Sequence, residues 1–181
     1  MENNDIPQWR ELLKSAIKRE GNIPSSRWVQ LATTNLNNEP RVRTVVFREW
    51  IGSNSMIIFT DGRSQKTKEI TINNNVEILW LFLRSKSQFR FRGKAEFIEN
   101  NNNYWKKLSN KSKEQWYWPH PGRKLERRCS KHMFNISNKP SNFLVIRVNI
   151  ESTELLELTV PNHKRYSWEK NQNWSQIELN P

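Results

Sequence analysis

The 181 residues carry 30 Lys and Arg against 18 Asp and Glu, a formal net charge of +12, with a pI near 10.1 and a mean hydropathy of −0.90. That length suits a single domain with a sizeable core, and the charge describes a basic surface attractive to polyanions without naming one. A lone cysteine, Cys129, excludes an intramolecular disulfide, Met1 leads into a polar stretch unlike a secretory leader, and no apolar run nears the ~20 residues of a membrane span, so a reducing, cytoplasmic location is expected.

Pro7 and Gly21 bracket Trp9, Leu12, Leu13, Ala16 and Ile17 at helical spacing, which predicts an amphipathic packing helix over 7–20. From Arg27 the pattern turns to strands, at 28–33, 41–50 and 55–60, with turns over 35–40 and at Gly52. Asp61-Gly62 breaks the third strand, and Ser64 is a good N-cap for a short helix over 64–73. The nearly continuous apolar run 76–83 reads as a strand covered on both faces, and a turn at 84–87 leads into a strand over 88–97, giving a barrel core over 27–98. Strand signals stop over 100–142, where 104–108, 112–117 and 122–133 read as short helices around the break imposed by Pro119 and Pro121. Closing strands at 143–150, 155–158 and about 164–168 complete one domain over 1–181, with those strands falling within 143–170. The class is mainly β with peripheral helices. Among nine tryptophans, Trp28, Trp50 and Trp80 read as core or interface, whereas Trp105, Trp116 and Trp118 cluster in a polar region and suggest a pocket for something flat and apolar.

Several chemistries are excluded. The five glycines, Gly21, Gly52, Gly62, Gly93 and Gly122, are too dispersed for a dinucleotide fingerprint or a phosphate-binding P-loop. His120, His132 and His163 lack metal-ligand spacing, and Cys129 near His132 has no third partner, so neither a metal site nor a nucleophilic cysteine is expected. No catalytic acid, base or nucleophile is assigned. What remains is an anion-binding pattern. Arg43-Thr-Val-Val-Phe-Arg48 is a strand with cations, and Ser64-Gln65-Lys66 opens the following helix, where free N–H groups, the helix dipole and a lysine converge. A solvated basic strand beside a capped helix would carry the same residues.

The order of these segments, Arg-x-Val-Val-x-Arg, then a strand ending Phe59-Thr60-Asp61, then Ser64-x-Lys66, then Gln88-Phe-Arg-Phe-Arg-Gly93, resembles the pyridoxamine 5'-phosphate oxidase family of FMN-binding split β-barrels over residues 25–98, with a weaker echo over 143–170. That resemblance implies FMN as cofactor and a homodimer with the flavin at its interface. It implies that Arg43 and Lys66 pair with the phosphate, that Ser64 and Gln65 help to hold it, and that Thr44, Val45, Val46 and Phe47 lie along the ring. It also implies further flavin contacts from Phe59 and Thr60, a polar-edge contact from Gln88, and one from Arg165 of the second subunit. Arg48 occupies a flavin-contacting position that also faces substrate, and His163 belongs to a segment that binds substrate. The implied reaction is hydride transfer from a small-molecule substrate to flavin N5, with dioxygen as the final acceptor.

Three departures bear on the substrate. Pro161 stands where the vitamin B6 oxidases carry a phosphate-gripping arginine two residues before His163, Gln65 replaces an arginine, and Leu156 replaces a flavin-facing tryptophan. The segment 112–122 is more similar to a cyanobacterial and plant branch of the family than to the B6 enzymes. Oxidation of pyridoxamine 5'-phosphate is therefore doubtful. Other readings are a flavin carrier or a reductase for another substrate and, less favoured, a nucleic-acid-binding barrel that uses the Arg-aromatic alternation over 88–92.

Overall fold

The computed structural model of the protein describes residues 6–124, 136 and 138–181. Most of the helix expected over 122–133, together with Cys129 and His132, lies outside the described residues. Helix α1 (Gln8–Glu20) places Trp9, Leu13 and Ala16 in the main core, and Arg10 reaches from it to the carbonyl of Ser53 at 2.8 Å. Strands β1 (Trp28–Thr34), β2 (Pro40–Ile51) and β3 (Ser55–Asp61) form an antiparallel meander in which Trp28 faces Val46 and Phe47 faces Ile58. Helix α2 (Gln65–Ile72) follows, then β4 (Asn75–Phe82), β5 (Ser87–Phe97), β6 (Phe143–Glu157), β7 (Lys164–Glu169) and β8 (Gln176–Leu179), the last not anticipated from sequence.

The sheet order is β3-β2-β1-β4-β5-β6-β7-β8, and a further pairing of β3 with β6 closes the first six strands into a barrel. Fifteen residues long, β6 has two tasks. Its first half pairs with β3 from Asp61↔Phe143 to Ser55↔Asn149, and its second half carries β7 from Ser152↔Glu169 to Glu157↔Lys164. The two strands expected at 143–150 and 155–158 are thus one. The polar stretch Glu151-Ser-Thr-Glu154 looks like a break in sequence, but its residues 152–154 pair with β5 beyond a bulge at Arg92/Gly93.

Alternation decides what the barrel encloses. Val76, Ile78, Trp80 and Phe82 of β4 point inward, while Leu81 is half exposed, so the run 76–83 is a one-sided strand rather than one covered on both faces. Likewise Phe89 and Phe91 are fully buried, and Arg90 and Arg92 lie outside in ion pairs with Glu77, Glu154 and Glu169. Rings inside a barrel cannot stack on bases, which removes the basis of the nucleic-acid reading.

A second apolar cluster covers the outer face of β3 and β6. Helices α3 (Asn102–Lys106) and α4 (Asn110–Glu114), with a 3-10 turn over Gln115–Tyr117, lay Trp105 and Trp116 against Ile57, Phe143 and Val145. Both tryptophans are buried packing residues, because the outward apolar side chains of β3 and β6 require such a cover. Trp118 alone of the three is exposed.

Gly93 marks the tightest backbone approach: a Cβ there would stand 2.0 Å from the carbonyl oxygen of Asn149. Gly93→Ala should therefore force β5 and β6 apart at the bulge and cost about 2 kcal/mol or more, read as a lowered urea midpoint. An unchanged midpoint would show that the bulge absorbs the methyl group.

Candidate functional site: an anion corner at the start of α2

The end of β3, the turn Gly62-Arg63-Ser64 and the first turn of α2 form a half-buried corner. Asp61 fixes the turn by accepting from the backbone N–H of Arg63 at 2.8 Å and from its guanidinium at 2.6 Å, while Asn142 donates to the same carboxylate at 2.9 Å. Burial raises the Asp61 pKa, but these bonds outweigh it and hold the carboxyl below its ordinary value. Arg63 and Asn142 also donate to the carbonyls of Trp118 and Trp116, which ties the helical excursion to the corner.

Ser64 occupies the N-cap position of α2 with an extended backbone, as its residue type predicts, yet its side chain makes no capping bond. The hydroxyl instead accepts from Lys66 Nζ at 3.0 Å, and Thr60 Oγ1 accepts from the same ammonium at 3.2 Å. Among the described residues no carboxylate lies within ion-pair distance of Lys66. Burial, and then the nearby Arg43, push its pKa below the ordinary lysine value, partly offset by Asp61 and Glu69. Beside it are the first N–H groups of an eight-residue helix, which have no partner within the helix. Gln65 stands exposed at the first helical position.

Arg43 reaches the corner from β2 with much of its guanidinium already engaged. Its Nη2 donates to Glu69 Oε2 at 2.7 Å, and its Nη1 donates to Thr33 Oγ1 and, at 3.4 Å, to the carbonyl of Leu31. Neither Glu69 nor Thr33 was anticipated; the i, i+3 spacing of Lys66 and Glu69 was the available signal, since it places an acid one helical turn from the lysine. Farther along β2, the side chains of Val45 and Phe47 are buried in the main core, so only their backbone faces outward, whereas Val46 is half-buried and Thr44 exposed.

Arg48 lies over the ring of Phe59 at 5.0 Å, and Phe59 packs in turn on Tyr104 and Phe143. The Arg48 Nε is buried without a partner, and among the described residues no carboxylate pairs with the side chain. Burial, and then Arg27, lower its pKa. A desolvated guanidinium without a counter-charge favours an incoming anion.

Gln88 and Arg165 stand apart from this corner. They belong to one row across the sheet, Leu81↔Gln88↔Leu156↔Arg165↔Leu179, whose members project to one face. Around the closed barrel Gln88 on β5 and Arg165 on β7 each lie three strands from β2, the latter through β3 and β6, and their row meets β6 at Leu156, thirteen residues along from the Phe143 that pairs with Asp61. Arg165 pairs with Glu154 at 2.6 Å. His163 sits exposed in the β6–β7 loop with Nδ1 3.2 Å from the carbonyl oxygen of Thr159, and Pro161 is exposed in the same loop.

Among the described residues, no helix is long and apolar enough to cross a membrane. The chain is 37% identical over 113 residues to pyridoxine/pyridoxamine 5'-phosphate oxidase 2 of Arabidopsis thaliana, a match covering 62% of this chain and 57% of that protein. The chain thus spans little more than half the length of this curated relative. In structure it is similar to a pyridoxamine 5'-phosphate oxidase-related, FMN-binding protein of Nostoc punctiforme, with a TM-score of 0.86 and 26% identity over 99% of this chain and all of that one. PhzG of Burkholderia lata shares the fold, with a TM-score of 0.79 at 19% identity over 96% of this chain and 90% of that one. The family model for the FMN-binding domain of pyridoxamine 5'-phosphate oxidase matches residues 6–99, the segment that holds α1, the barrel strands β1 to β5 and the whole anion corner. The protein therefore belongs to the pyridoxamine 5'-phosphate oxidase FMN-binding domain family, with FMN as the cofactor that this domain binds.

Proposed function

We propose that the chain is an FMN-dependent oxidoreductase that acts on a small-molecule substrate as a homodimer. The observation that carries this reading is the corner formed by Lys66, Ser64, Thr60 and the start of α2. One half-buried ammonium without a carboxylate, two hydroxyls and free helix N–H groups suit a single terminal phosphate, and no glycine-rich turn is present for a pyrophosphate. The residues thus fit FMN rather than FAD. Arg43 and Lys66 would carry the phosphate charge, with Ser64 and Gln65 beside it. Thr44, Val46 and the backbone of Val45 and Phe47 would lie along the flavin, with Phe59 and Thr60 supporting that wall. Bound FMN supplies the two-electron redox chemistry, and the chain contributes binding, orientation and exclusion of water.

Arg48, desolvated and without a carboxylate partner among the described residues, would orient an anionic group of the substrate. The homodimer is supported by the position of Arg165, which pairs with Leu156, thirteen residues along β6 from the Phe143 that faces Asp61 at the corner. It is supported also by the exposed Leu81, Leu179, Ile177 and Trp28 on the outer sheet surface, where Leu81 and Leu179 share a row with Gln88 and Arg165. Sedimentation should give a dimer; a monomer that holds FMN tightly would refute both the interface and the role of Arg165 in trans.

The purified protein should be yellow and bind FMN in preference to FAD. Lys66→Ala should raise the FMN dissociation constant roughly tenfold to hundredfold through loss of one charge-assisted contact of ~1.5 to 3 kcal/mol. An unchanged flavin titration would remove Lys66 from the anchor.

Pyridoxamine 5'-phosphate should be a weak substrate. Pro161 cannot grip a phosphate, and a missing charge-assisted pair of ~2 kcal/mol lowers kcat/KM about thirtyfold. The check is hydrogen peroxide and pyridoxal 5'-phosphate formation by the FMN-loaded protein beside a vitamin B6 oxidase, where equal specificity constants would restore B6 oxidation as the function.

A further inference from the structure

The anchor for the phosphate has a second layer. Glu69 is buried in α2, 2% exposed. Its Oε2 accepts from Arg43 Nη2 at 2.7 Å and from the Thr33 hydroxyl at 2.5 Å, and that hydroxyl accepts from Arg43 Nη1. Arginine, threonine and glutamate thus close a ring of three hydrogen bonds joining β1, β2 and α2. The other carboxylate oxygen, Oε1, is buried without a partner. A buried carboxylate with one idle oxygen is costly to keep, and an amide of the same shape would preserve every bond of the ring.

We propose that Glu69 is a positioning residue for the FMN phosphate anchor: through Thr33 it fixes the Arg43 guanidinium at the end of the barrel, and its negative charge opposes the phosphate and holds FMN affinity below what Lys66 and Arg43 alone would give. The inference rests on the corner being the phosphate site. Position and charge then act in opposite directions, and two isosteric substitutions separate them. Glu69→Gln keeps an oxygen for Arg43 and Thr33 while deleting the charge. Thr33→Val deletes the hydroxyl that closes the ring while keeping the charge.

The experiment is fluorescence titration of the apoprotein with FMN and, in parallel, with riboflavin, which lacks the phosphate, together with thermal unfolding of each variant. Glu69→Gln should bind FMN about tenfold more tightly, equivalent to about 1.4 kcal/mol, and Thr33→Val severalfold more weakly, with riboflavin affinity unchanged in both. A purely structural role would shift the unfolding temperatures and leave the ratio of FMN to riboflavin affinity at its wild-type value, and that outcome overturns the proposal. So does a Glu69→Gln variant that loses FMN affinity. If instead wild-type protein binds riboflavin and FMN equally, the corner itself is not the phosphate site, a failure of the underlying assignment that the wild-type titration alone reveals.

Discussion

Two cations held near one another in a half-buried corner impose the constraint around which this site is built. Lys66 loses hydration and feels Arg43, and both effects destabilise its charged form. Such a pair persists only if the surrounding structure supplies compensation. Here it comes from Glu69 and Asp61, from two hydroxyls that accept from the ammonium, and from the fold energy of a closed barrel that places β2, β3 and α2 where they are. The helix contributes through its position: Ser64 leaves its capping bond unmade and offers its oxygen to Lys66, so the helix start remains open to an acceptor.

The second constraint is closure. Six strands form a barrel because β6 reaches both β3 and β5, and a seal of this kind needs close backbone approach at one point, which Gly93 permits. The outer face of the β3–β6 seam is apolar and is covered by Trp105 and Trp116, and the same cover is pinned to Asp61 through Arg63 and Asn142. Packing on the outside of the barrel and hydrogen bonding at the corner are therefore one mechanical unit.

Much of this was legible in the sequence. The alternation in β1 to β3, the Asp-Gly break and Ser64 before α2 sufficed to place the elements that form the corner, because each is a local signal. The long-range facts were not. Thr33 and Glu69 are ordinary residues until the register of β1 on β2 and the seating of α2 bring them to Arg43. The polar residues over 151–154 hid the continuity of β6, since strand signals are read from apolar alternation and Ser152 and Thr153 owe their burial to β5 and β7 on either side. The Trp105 and Trp116 pair was misread because a polar neighbourhood in sequence says nothing of an apolar seam 27 or more residues away. Gln88 and Arg165 were identified through resemblance alone, and only the strand pairing shows that they share a row, one that meets β6 beyond its pairing with β3.

The length of β6 has a consequence of its own. At ~3.3 Å per residue its fifteen residues span about 50 Å, and they tie the wall of the corner at Phe143 to the strand that carries Arg165. A strand has no slack. The separation between those two places is thus set by a residue count rather than by side-chain chemistry, and it acts as a molecular ruler. The helical excursion before β6 can vary in length without disturbing that measure. Inserting a single residue in β6 just before Leu156 would instead turn Leu156 to the opposite face of the sheet, out of its row with Gln88 and Arg165.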